Sequence, residues 1–201
     1  MTEPPVYGLV LAGGNSTRMR RDKAVLEYQG VTQLDRVFEI VTRHCERSFV
    51  SVRAAQALEP SRASKPLIID AVEGEGPIVG IRSGMAAHRH AAWLVVACDL
   101  PFLTGSLIER LLAERDPSGF ATAYRSTHDG LPEPLCAVWE PRAYEALAAY
   151  QLEGGACPRK FLMRRGARLI DAVEPAALDN INTPEDYDEA QKRLARVSAC
   201  N

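Results

Sequence analysis

The sequence predicts an α/β fold, a single three-layer domain built on a mostly parallel sheet. Three observations lead there. Short, wholly apolar runs alternate with longer segments whose apolar residues recur at helical spacing. Two of those runs end in residues suited to a ligand, Gly13-Gly14 and Asp99, and ligands of such sheets collect at the carboxyl ends of the strands. The chain has 201 residues and is 46% hydrophobic, enough for one core without disulfide or metal staples.

The elements follow in order. Residues 6–12 are an apolar run that reads as a buried strand ending in Gly13-Gly14. Leu34, Val37, Phe38, Val41 and Cys45 form a helical stripe across residues 33–47. Residues 49–52 and 67–69 suit short strands. Gly76-Pro77 opens a second helix, because proline is tolerated at the first helical position. Residues 93–97 read as another buried strand, ending at Cys98-Asp99. Thr104 is placed to cap a helix with Leu107, Ile108, Leu111 and Leu112 on one face. This alternation is that of a doubly wound, Rossmann-like sheet, with residues 1–201 as one domain. The second half is less regular. Residues 120–124 and 135–139 suit strands, with Gly130, Pro132 and Pro134 between them; residues 142–152 and 184–197 suit helices. Thr183-Pro184-Glu185-Asp186 is a well-formed helix start: a hydroxyl cap, proline at the first position, then acids near the positive end.

Composition narrows the function classes. Lys plus Arg number 24 and Asp plus Glu 26, a formal net charge of -2, which gives no sign of a nucleic-acid or acidic-membrane partner. The five cysteines, Cys45, Cys98, Cys136, Cys157 and Cys200, are odd in number, widely spaced and without a C-x-x-C. That is neither a disulfide framework nor a zinc ribbon. Free thiols, and a start that does not resemble a signal peptide, point to a reducing, cytoplasmic compartment. No apolar run approaches the ~20 residues of a membrane span. The histidines His44, His88, His90 and His128 make no site; His88 and His90, two apart, point to different sides of a helix.

The most informative segment runs Leu11-Ala12-Gly13-Gly14-Asn15-Ser16-Thr17-Arg18-Met19-Arg20-Arg21-Asp22-Lys23. A strand delivers the chain to paired glycines, which let backbone N–H groups approach phosphate oxygens closely. Arg18 and Lys23 add positive charge beside them. Transfer at the α-phosphorus of a triphosphate needs both neutralisation and positioning. Read alone, Gly-Gly is more simply a tight turn with solvated Arg and Lys. The segment is neither a P-loop, lacking G-x-x-x-x-G-K-[ST], nor a G-x-G-x-x-G dinucleotide fingerprint.

This segment resembles the L-A-G-G-x-S-x-R-M-G-x-D-K-A signature of the molybdenum cofactor guanylyltransferases and their MobA-like relatives. Further matches follow in order. Asp70 with Gly76-Pro77-Ile78-Val79-Gly80-Ile81 resembles the family's D…G-P-L-A-G-I/M. Cys98-Asp99-Leu100-Pro101-Phe102-Leu103 resembles C-D-x-P-x-L. Pro134-Leu135 to Trp139 resembles P-L-x-A-x-[YW], and Asn180-Ile181-Asn182-Thr183-Pro184-Glu185-Asp186 resembles N-x-N-T-P-E-[DE]. The resemblance implies that Leu11, Ala12, Gly13, Gly14, Lys23 and Asp70 contact the nucleotide. It implies that Asp99 binds nucleotide-associated Mg²⁺, and that GTP and molybdopterin, with or without molybdenum, are the substrates. Receiving molybdoenzymes are further partners it suggests. Arg20 departs from the pattern, standing where the family has Gly. A second nucleotide contact of the family, an Asn, aligns loosely near Ser51.

Chemistry and resemblance meet at a few residues. Mg²⁺ takes one or two carboxylates and fills its octahedron with phosphate and water, which suits an acid at a strand end such as Asp99. The alternative is a capping acid for the helix near Thr104. Asp70 is by its residues alone an ordinary turn aspartate. Gly80 and Gly84 share a helix face, through which the helix can approach the sheet or a nucleotide. Asn180 and Asn182 precede the last helix and are candidates for the second substrate, or for turn chemistry. Arg159-Lys160 is either a phosphate-receiving helix start or a solvated face. Lys23, Asp99 and Arg18 form the expected catalytic set. The rivals are a cytidylyl or sugar-phosphate nucleotidyltransferase and a non-catalytic nucleotide-binding module. The short, proline-free stretch from Arg18 to Lys23 disfavours the sugar-phosphate enzymes.

Overall fold

The computed structural model describes residues 3–14, 22–72 and 74–199. In chain order its strands are β1 (Val6–Leu11), β2 (Glu27–Tyr28), β3 (Val31–Thr32), β4 (Arg47–Val52), β5 (Leu67–Ile69), β6 (Ala92–Ala97), β7 (Ala121–Arg125), β8 (Pro132–Trp139) and β9 (Arg168–Asp171). Its helices are α1 (Gln33–His44), α2 (Pro60–Ala63), α3 (Pro77–Ala87), α4 (Gly105–Ala113), α5 (Ala143–Leu152), α6 (Pro158–Arg165) and α7 (Pro184–Ala199).

Strands β1 and β6 are apolar along their length because both faces are covered, as parallel strands require. The main sheet has the order β5-β4-β1-β6-β8-β7-β9. β1 runs parallel to β4 and β6, β4 to β5, and β7 to β9. Only β8 is antiparallel, to both β6 and β7. The loop from Ser126 to Leu131 explains this: it closes a hairpin and is far too short for a parallel crossover. Alternation along each strand then divides the core. Val10, Val50, Leu94 and Val96 face α1 and α4; Leu9, Trp93, Val95 and Trp139 face α3, α5 and α6. The result is the expected three-layer α/β domain with a mixed, mostly parallel sheet.

A third, smaller cluster ties the chain's end to its beginning. Ile181 and Ala190 pack on Leu26 and on Tyr28 of the β2-β3 ribbon that follows it, and the Tyr187 hydroxyl donates to the Glu27 carbonyl at 2.7 Å. The start of α7 is capped reciprocally. Thr183 Oγ1 accepts from the Asp186 N–H at 3.1 Å, while Asp186 Oδ2 accepts from the N–H groups of Asn182 and Thr183, both at 2.9 Å.

Several local expectations are corrected. Thr104 stands at the N-cap of α4, but its hydroxyl meets Ser106 Oγ at 2.9 Å rather than a backbone N–H. His88 and His90 do not flank a helix. They follow the end of α3, and both rings pack edge-on against Tyr7. The β2-β3 ribbon, α6 and β9 have too few apolar residues to stand out in the sequence. No helix among the described residues is long and apolar enough to cross a membrane.

Close packing of α1 on β1 depends on Gly8. A Cβ there would lie 2.2 Å from Val41 Cγ1 and 2.9 Å from Ser48 Oγ. Val41 is β-branched and stiff in its helix, so the helix itself would have to move. Gly8→Ala is expected to cost about 1–3 kcal/mol of stability. A urea titration would read this as a lower midpoint at unchanged slope, and an unaltered midpoint would show that the helix yields freely.

Candidate active site

Because β1, β4, β5 and β6 are parallel, their carboxyl ends open along one edge of the sheet. A cleft of about 830 Å³ lies there. Leu11, Ala12, Gly13 and Gly14 line it where the chain leaves β1. Ser51 and Arg53 come from the end of β4, Asp70 from the end of β5, and Cys98-Asp99 from the end of β6. Lys23, Asn180 and Asn182 complete the wall nearest Asp99. The structure thus brings the sequence-derived candidates Leu11, Ala12, Gly13, Gly14, Lys23, Asp70, Asp99, Asn180 and Asn182 to one cleft. Arg18 and Arg20 lie outside the described residues.

Lys23 is the point of convergence. Its Nζ donates to Asp99 Oδ2 at 2.8 Å and to Asn182 Oδ1 at 2.9 Å. The two charged side chains remain 16% and 19% exposed, so a ligand in the cleft can reach them. The backbone supports the same junction, since Ile181 N–H donates to the Asp99 carbonyl at 3.1 Å.

Asp70 stands at the other end. Ser51 Oγ donates to its Oδ1 at 2.8 Å. Burial pushes the Asp70 carboxyl above the usual carboxylate range, opposed by the Ser51 bond and the positive charge of Arg53. A Cβ at Gly13 would lie 3.5 Å from Asp70 Oδ2, so glycine keeps the space before that carboxylate clear. Gly80 lets α3 approach β1 and β4 closely, where a Cβ would stand 2.5 Å from Ser51 Oγ and 2.8 Å from Leu11 Cδ2. Cys98 lines the cleft as a thiol, since burial pushes its pKa up to about 12, with nearby Asp99 and Asp22 adding to the shift. It is no thiolate nucleophile.

Sequence reasoning missed Arg62, which is fully buried behind the glycines. Its Nη2 donates to the Ala12 carbonyl at 2.9 Å and pairs with Asp22 Oδ2 at 2.7 Å, while Nη1 pairs with Glu59. One guanidinium therefore holds the chain on both sides of the segment 15–21. Asp22 also accepts from the Ala24 N–H at 3.0 Å, which starts the 3₁₀ turn carrying Lys23. No motif announces this arginine; a charge in an otherwise unremarkable stretch gives no signal.

A second cavity of about 360 Å³ adjoins the cleft and shares Pro77, Leu135 and Asn180 with it. Arg159 lines it but is already paired, to Asp129 Oδ2 at 3.0 Å and Glu133 Oε2 at 2.8 Å. Lys160 lines neither cavity.

Residues 8–170 match the MobA-like NTP transferase domain. The molybdenum cofactor guanylyltransferase of Pseudomonas paraeruginosa is 33% identical over 186 residues, covering 90% of this chain and 92% of that protein. The molybdenum cofactor biosynthesis bifunctional protein of Synechocystis is 34% identical over 187 residues. That match takes in 93% of this chain, which spans only 54% of the longer protein. In fold, the chain is similar to the crystal structure of molybdopterin-guanine dinucleotide biosynthesis protein A from Archaeoglobus fulgidus. The TM-score is 0.78 at 24% identity, over 94% of this chain and 99% of that one.

The buried guanidinium yields an expectation. Asp22→Asn removes one counter-charge from Arg62 and leaves Glu59 as the other. The variant is expected to lose about 1–3 kcal/mol. Thermal unfolding checks this, and an unchanged Tm would mean that Glu59 alone suffices.

Proposed function

The chain belongs to the MobA-like NTP transferase family and is a nucleotidyltransferase; on that premise we propose that it transfers GMP from GTP to the phosphate of molybdopterin. The observation that carries this reading is the convergence of Lys23, Asp99 and Asn182 where a nucleotide-sized cleft adjoins a second cavity. The guanylyl and molybdopterin assignments rest on the named relatives and on the motifs that the chain shares with their family.

The chemistry needs no side-chain nucleophile. A phosphate oxygen of molybdopterin attacks the α-phosphorus of GTP and forms the new P–O bond. The bond from that phosphorus to the oxygen bridging it to the β-phosphorus breaks, and its electron pair leaves with pyrophosphate. The protein's work is to position both partners and to offset charge. Backbone N–H groups at Gly13 and Gly14 receive phosphate oxygens. Lys23, with Arg18, balances charge on the triphosphate and the departing pyrophosphate. Asn180, which lines both cavities, and Asn182, which lines the larger one, hold the acceptor phosphate.

Asp99 would hold Mg²⁺, and the donor set fits. Only one Asp99 oxygen is engaged by a described residue, Lys23. Among the described residues no three Asp, Glu, His or Cys side chains converge on a metal position. That chemistry suits an ion taking most of its ligands from phosphate and water. When bound, Mg²⁺ would supply charge neutralisation for the triphosphate. The free thiols of Cys45, Cys98, Cys136 and Cys157 favour a cytoplasmic enzyme.

The test is to incubate the chain with GTP, Mg²⁺ and molybdopterin and to follow pyrophosphate release and dinucleotide formation. Turnover with GTP well above that with CTP or ATP is expected; a clear CTP preference would promote the cytidylyl reaction instead. Asp99→Asn should abolish Mg²⁺-dependent turnover while keeping the fold, and near-normal turnover would refute the metal role. Lys23→Ala should lower kcat/KM by about tenfold to a hundredfold, the worth of a charge-assisted hydrogen bond. Unchanged kinetics would return Lys23 to a structural role.

A further inference from the structure

If the triphosphate lies by Lys23 and Asp99, the direction of the rest of the nucleotide follows from the sheet. Asp99 follows β6, and the order β5-β4-β1-β6 places β4 and β5 on the far side of β1. The base therefore lies over the ends of β4 and β5. Two groups of opposite character line that end, Arg53 and Asp70. The positive charge of Arg53 acts on Asp70, yet among the described residues the two make no ion pair. Buried Gln56 orients the arginine, its Oε1 accepting from the Arg53 backbone N–H at 3.2 Å and from its Nε at 3.4 Å. No described residue takes the terminal guanidinium donors.

We infer that Arg53 is a specificity-determining residue for guanine, donating to its carbonyl edge while Asp70 accepts from the neighbouring ring N–H and exocyclic amine. This rests on the GTP reading above. Guanine places a carbonyl acceptor beside N–H donors, which meets a donor at Arg53 and an acceptor at Asp70. Cytosine and adenine place an amine donor beside a bare ring nitrogen, the reverse order. Either base would leave both side chains facing the wrong partner, and unpaired polar groups are what a selective site rejects. Uracil has the carbonyl and N–H in the guanine order but lacks the amine, so UTP ranks second.

Isothermal titration calorimetry of the full chain, with Mg²⁺ present, tests this with GTP, UTP, CTP, ATP and 2-aminopurine riboside triphosphate, which lacks the carbonyl and the adjoining ring N–H. The wild type is expected to bind GTP more tightly than the 2-aminopurine analogue by at least roughly tenfold to a hundredfold, since the analogue loses the contacts to both Arg53 and Asp70. Arg53→Met should weaken GTP binding by roughly tenfold to a hundredfold while leaving the analogue's affinity unchanged, and Arg53→Lys should restore part of the loss. Arg53 is exposed, so its variants should keep the wild-type Tm. A GTP affinity that is unchanged in Arg53→Met, or a loss shared equally by the analogue, overturns the role of Arg53 and leaves the GTP reading standing. A wild type that binds CTP or ATP better than GTP overturns both.

Discussion

The Lys23 ammonium is the interaction on which the arrangement of the site depends. It joins the chain after β1, the end of β6 and the segment before α7, three stretches far apart in sequence. Each arrives there for a separate reason. Asp22 sets the turn that carries Lys23, β6 delivers Asp99, and the α7 cap fixes Asn182. A lysine held between a carboxylate and an amide oxygen has a defined position before any ligand is present. Preorganised charge of this kind needs little rearrangement when a polyanion enters.

The cleft has two unlike ends because the sheet separates them. Towards β6 stands the Lys23–Asp99 pair, the end suited to phosphate. Towards β5 stands a partly desolvated carboxylate with a hydroxyl and a guanidinium nearby. β1 runs between them, and Leu11, Ala12 and the two glycines that follow line the middle.

Much of this was legible in the sequence, and the exceptions have physical causes. β1 and β6 were evident because strands buried on both faces leave unbroken apolar runs. Their ends, Gly13-Gly14 and Asp99, were evident because residues of those types at strand ends invite a ligand. The strand order of the second half was not. Whether β8 enters beside β6 or beyond β7 depends on packing far from the hairpin that links it to β7. Helix α6 was hidden because its eight residues bury little beyond Phe161 and Leu162. Arg62 and Arg53 were invisible because their roles come from what surrounds them, and a lone arginine carries no pattern. Asp70 stood on resemblance alone; its Ser51 partner lies on another strand, beyond any local reading.

The junction at Lys23 also bears on where the working unit stops. The family match covers residues 8–170, whereas Asn182, and the Ile181 N–H that holds the Asp99 carbonyl, lie beyond it. The same later segment covers Leu26 and Tyr28. A chain cut at the shared boundary would expose an apolar ribbon and take Asn182 away from Lys23. The evolutionary module and the mechanical one therefore have different ends, and the difference is carried by a helix whose contribution to the cleft is made by the residues just ahead of it.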